Sequence, residues 1–180
     1  MVTDEDHDLG PADAQGFQVP RLLRAAEVLC ADGRVLHGRV FLPATAESHP
    51  GAMRAEEWMN DAAPFFPFLP DGEGRPVILN KLQILVVTVA AAADRDDAMD
   101  AVGVRMRRVH VECGSWHLDG EVLVDMPVNH SRMLDVLNRP GAFLNVREGE
   151  RHHLVRKSRI TRVSEPPAGA PRPRPSLPAR

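Results

Sequence analysis

The chain has no tyrosine, only two lysines and only two cysteines. Nowhere does it hold the run of about eighteen apolar residues that a membrane-spanning helix needs, so no such helix is expected. Aromatic residues make up 4% of the chain, and without tyrosine it has few rings on which to stack unpaired nucleobases. Cys30 and Cys113 are too few for a disulfide framework. A reducing cytoplasm is therefore the expected setting, with both thiols as small buried or edge residues. The first twenty residues are acidic and polar, unlike a secretory signal. There is no glycine-rich phosphate loop, no Gly-x-Ser-x-Gly elbow and no spaced carboxylate pair on a helix. No enzyme, no catalytic residue and no cofactor are expected from such a chain.

What is present is a foldable middle between two unlike ends. Hydrophobic residues are 43% of the 180, enough for a core. The formal charge of −3 argues against a protein that coats nucleic acid. Residues 1–20 carry −5, residues 147–180 carry +6, and the middle carries −4. The ends could pair with each other or with partners. After Ser164 the chain is rich in proline and arginine, and Arg172-Pro173-Arg174-Pro175-Ser176-Leu177-Pro178 formally matches a basic-flanked polyproline ligand.

The two lysines organise the rest. Ile78-Leu79-Asn80-Lys81-Leu82-Gln83-Ile84 returns as Leu154-Val155-Arg156-Lys157-Ser158-Arg159-Ile160. In both stretches an apolar run reaches a polar kink at the lysine and then resumes. Upstream, Val28 and Cys30 match Val111 and Cys113. Leu36, Gly38 and Val40 match Leu118, Gly120 and Val122. Glu57, Met59 and Asn60 match Asp135, Leu137 and Asn138, and Phe65, Phe66 and Phe68 match Phe143, Leu144 and Val146. Self-similarity in this order indicates repeated modules. The expected organisation is an acidic tail over 1–22, a first unit over 23–90 and a partly helical linker over 91–103. A second unit over 104–164 and a disordered tail over 165–180 follow.

Within a unit the signals are mainly β. Asp32-Gly33 is a hairpin turn between Glu27–Cys30 and Val35–Leu42, and Gly114-Ser115-Trp116 is its counterpart. Short helices are expected over Ala55–Asn60 and Arg132–Asn138, the latter capped by Ser131. Pro64, Pro67 and Pro70 forbid a regular central strand over Phe65–Leu69 but allow an edge strand.

Leu36-x-Gly38-x-Val40, Leu118-x-Gly120-x-Val122 and the lysine-hinged strands resemble small five-stranded barrels of the Sm-like or SH3-like type. Val155-Arg156-Lys157-Ser158-Arg159-Ile160 resembles the second signature of the bacterial Sm-like RNA chaperone. In that family a Lys-His pair at this turn contacts RNA; here Ser158 and Leu82 follow the lysines. The pattern of turn, Leu-x-Gly, Leu-Asn helix end, Phe and Asn-Lys kink is also similar to an uncharacterised bacterial small-barrel domain family. These likenesses imply a mainly β chain of two tandem small β-barrels, each with one short helix between strands.

Three functional readings follow. The first is a non-catalytic adaptor that binds a protein partner or itself, with Trp116, Phe65, Phe66 and Phe68 as contact residues. The second is binding of RNA or single-stranded nucleic acid through Lys81, Lys157, Arg156, Arg159 and Arg162. The third is a catalytic or metal-dependent role through His117, Asp119, His152 and His153, but nothing in their spacing fixes the convergence that zinc needs, and no metal is expected.

Overall fold

A computed structural model describes residues 21–47, 49–90, 105–124 and 132–166. Most of both tails, the linker and the Ser131 cap lie outside the described residues. The first half runs β1 (Arg21–Cys30), β2 (Val35–Pro43), α1 (Ala55–Asn60), β3 (Phe65–Pro70), β4 (Val77–Asn80), a 3-10 turn (Lys81–Gln83) and β5 (Ile84–Ala90). The second runs β6 (Arg105–Cys113), β7 (Trp116–Val124), α2 (Met133–Leu137), β8 (Phe143–Glu148), β9 (Arg151–Arg156), a 3-10 turn (Lys157–Arg159) and β10 (Arg162–Ser164). The order of elements is the same in both halves, and each lysine opens a 3-10 turn.

Local chemistry accounts for these elements. Gly33 and Gly114 close the β1–β2 and β6–β7 hairpins at φ of 84° and 64°, a region in which side chains are strained. Each helix begins with the same device. The Glu57 carboxylate accepts from the Arg54 backbone N–H at 3.0 Å, and the Asp135 carboxylate accepts from that of Arg132 at 3.2 Å. The caps are thus acidic side chains in the first turn reaching back. β1 begins at Arg21, earlier than the composition suggests, because Leu22 and Leu23 pair with Leu42 and Phe41 on β2 although both stay exposed.

The ten strands of the described residues are antiparallel and form one sheet in the order β10-β6-β7-β8-β9-β5-β1-β2-β3-β4. The sheet does not close, so two separate closed barrels are not what the hydrogen bonding describes. Closing a unit on itself would require β4 to pair with β5. The 3-10 turn interrupts the chain between them, and β5 uses its two edges for β1 and β9. β3 is not an edge strand either. It lies between β2 and β4 despite its prolines, because pairing with β2 covers only Phe68–Pro70 and leaves Pro67 beyond its end.

Two core clusters result, one around Val28, Val40, Trp58 and Phe66 and one around Val109, Val111, Val122 and Val146. They interlock, for Phe143 and Leu154 of the second half belong to the first cluster and Val86 of the first half to the second.

Gly38 and Gly120 are required by close approach. A Cβ on Gly120 would meet the Arg147 carbonyl oxygen and Val146 Cγ1, each at 2.6 Å. One on Gly38 would collide with the Leu69 carbonyl oxygen and approach Phe68 Cζ at 2.8 Å. Gly120→Val is therefore expected to lower stability by about 1–3 kcal/mol, as overpacked sites do, although valine favours strands. A urea melt checks this, and an unchanged midpoint would mean that β8 yields freely.

Candidate functional site: an open sheet edge beside a closed one

The equivalent strands β4 and β9 have opposite fates. β9 is covered on one side by β8 and on the other by β5, with Val86 opposite Val155, Val87 opposite Leu154 and Thr88 opposite His153. β4 pairs with β3 alone and ends the sheet. Leu154 and Ile78 each stand three residues before their lysine. Leu154 is 0% exposed and Ile78 is 67% exposed. Phe143 and Phe65 repeat the contrast at 2% and 53%. Phe65, Val77, Ile78 and Leu82 are thus exposed apolar residues on β3, β4 and the adjoining turn, with Ile78, opposite Pro67, on the face away from Val77, which stands opposite core residue Phe68. A strand with one edge unpaired, apolar side chains and no charge on Val77–Leu79 presents the N–H and C=O groups of that edge to any incoming strand.

Side chains lock the closed seam. The Asn60 amide reads the Phe143 backbone twice, accepting from its N–H at 2.8 Å and donating to its carbonyl at 3.3 Å. Asn145 Nδ2 donates to Glu56 at 3.0 Å, and Arg156 donates to the Lys81 carbonyl at 2.7 Å. Asn60→Ala leaves the buried Phe143 N–H without this partner and is expected to cost about 1–2 kcal/mol. Asn138→Ala at the equivalent, exposed position should cost little in dilute solution. Equal urea midpoints for the two variants would contradict the seam assignment.

His153 lies inside the seam. Its Nδ1 is 3.0 Å from Thr88 Oγ1, and the Trp116 ring lies 6.5 Å away. Glu148 Oε2 stands 3.4 Å from Nε2, outside hydrogen-bond geometry, so Nε2 is buried without a hydrogen-bond partner. Burial, reinforced by Arg151 and His152, pushes the His153 pKa down to about 4.

The other candidate residues distribute as follows. Phe66 and Phe68 are core residues, and Trp116 is half-buried against its own unit. Lys81 is buried, donating to the Trp58 carbonyl at 2.8 Å and to Asp61 at 2.7 Å. Lys157 donates to the Arg139 carbonyl at 2.9 Å, and burial lowers its pKa. Arg156 is buried over the Phe143 ring, Arg162 bonds Glu112 at 3.4 Å, and Arg159 is exposed. Cys30 and Cys113 end β1 and β6, buried, and burial raises both thiol pKa values, so neither is an activated nucleophile. Asp119 bonds His110 at 3.0 Å, His117 shares its strand, and His152 bonds Asn145 at 3.2 Å. Among the described residues no three such side chains converge on a metal position, and no helix is long and apolar enough to cross a membrane.

A cleft of ≈420 Å³ runs along the seam, lined by Glu56, Asn60, Asn145, His152 and Lys157 among others. These side chains are bonded to one another or to nearby backbone, so the cleft is part of the seam. The exposed apolar residues of β4 carried no signal in the sequence, where Val77-Ile78-Leu79 and Leu154-Val155 read alike. Comparison of the chain with known protein families, with curated proteins and with solved structures finds no match.

Proposed function

We propose that this chain is a non-catalytic interaction module, made by duplication of a small barrel-like β unit, that binds another polypeptide by strand addition at β4. The observation that carries the reading is the contrast between Leu154 and Ile78, equivalent residues of which one is sealed by a neighbouring strand and the other is 67% exposed. Strand addition supplies affinity through main-chain hydrogen bonds and specificity through alternate side chains. Phe65, Val77 and Ile78 supply the side-chain part here. The nucleic-acid reading has less support, because Lys81 and Arg156 spend their donors inside the protein.

A photo-cross-linking amino acid in place of Ile78, introduced in cells, tests the proposal. An adduct with a polypeptide is expected from that position and not from Arg34, which is exposed at the β1–β2 hairpin. No adduct at position 78 would overturn it.

A further inference from the structure

The seam joins β9 to β5, and the sheet ends on the equivalents of those two strands, β4 and β10. We propose that copies of this chain associate head to tail, the β4 edge of one copy pairing antiparallel with the β10 edge of the next. This rests on β4 being a strand acceptor and names the donor.

The seam supplies the register. Counting from the two lysines carries Val86–Val155, Val87–Leu154 and Thr88–His153 over to Arg162–Leu79, Val163–Ile78 and Ser164–Val77. Val163 then covers Ile78, which has the largest fractional exposure among the large apolar residues described. Two further contacts carry over from the same seam. The Asn60 grip on the Phe143 backbone becomes Asn138 on the Phe65 backbone, and both of these residues are exposed. The Glu56–Asn145 contact becomes Leu134 against Pro67. Leu134 is 64% exposed on α2, and the head-to-tail contact gives it an apolar neighbour. A two-fold pairing of β4 with β4 would bury Ile78 but leave Leu134 and Asn138 uncovered.

β10 is much shorter than β5 and is followed by Glu165-Pro166-Pro167. Proline cannot donate to a ladder. The contact between copies is therefore weaker than the seam and depends on concentration. It is heterologous, so repetition gives a ring if the rotation closes and a filament if it does not.

Purified full-length Ile78→Cys and Val163→Cys are mixed and oxidised, with Leu79→Cys and Arg162→Cys as the neighbouring pair; the native thiols are buried. Facing strand positions bring Cβ atoms within disulfide reach. The expected result is a mixed disulfide dimer in the mixture and little dimer from either variant alone. Light scattering should show a mass that rises with concentration for the unmodified chain and does not rise for Ile78→Lys. Predominant 78–78 dimers would overturn the head-to-tail arrangement and leave strand addition at β4 in place. A constant monomer mass with no disulfide would also overturn it. An adduct from position 78 in cells would then show that strand addition survives with a foreign partner, and its absence would remove both.

Discussion

Taking the protein from pH 7 to pH 4 is expected to remove up to about 3 kcal/mol of stability through His153 alone. The unfolded imidazole titrates near 6.5, whereas burial holds the folded one at about 4. Between those values the unfolded chain binds a proton that the folded chain refuses, so stability is complete above 6.5 and falls as the pH drops toward 4. Protonation would place a charge between Thr88 and Trp116 inside the β5–β9 seam, with Arg151 and His152 adding repulsion and Glu148, at 3.4 Å, opposing it. Urea melts of the unmodified protein and of His153→Leu at pH 7 and pH 5 measure this. The substitution should flatten the pH dependence in this range. An equal acid loss in both proteins would show that His153 is not responsible.

Lys81→Ala is expected to cost about 2–4 kcal/mol, and Lys157→Ala at the equivalent position no more than about 1 kcal/mol. The Lys81 ammonium satisfies the Trp58 carbonyl, pairs with Asp61 and lies 5.9 Å from the Trp58 ring centre. Removing it leaves the carbonyl without this donor and also strips the lysine stem from the core. Asp61 is partly exposed and regains water, which keeps the cost below that of a fully buried broken pair. Lys157 holds a single carbonyl at the surface. Lys81→Met, which retains an apolar stem, should recover part of the loss. Equal melting temperatures for the two alanine variants would contradict the different environments of the two lysines.

Much of the local structure was legible in the residues. Asp32-Gly33 and Gly114 mark hairpins through conformations that only glycine adopts at low cost. Gly38 and Gly120 recur at one strand position, where the structure brings a neighbouring strand's backbone too close for a Cβ, and Ala55–Asn60 reads as a helix from end to end. The joining of the halves was not legible, because strand pairing between edges distant in sequence leaves no local mark. One clue lay in β5, where Ile84-Leu85-Val86-Val87 breaks the polar-apolar alternation of a strand with one wet face. A strand apolar on both faces packs against a core on each, and Val87 of β5 belongs to the first core cluster while Val86 belongs to the second. Nor could composition reveal that Lys81 is buried, since its partner Asp61 lies in a loop twenty residues earlier.

The claim that β4 is an acceptor edge is tested most directly by amide hydrogen exchange of Val77–Asn80 as a function of protein concentration, with the β9 amides as internal reference. In dilute solution the β9 amides should be strongly protected, and the β4 amides that point away from β3 should exchange quickly. As concentration rises, those β4 amides should become protected while the hairpin turns do not change. Strong protection of all β4 amides at every concentration, or fast exchange across β9, would contradict the assignment of one edge as open and its equivalent as closed.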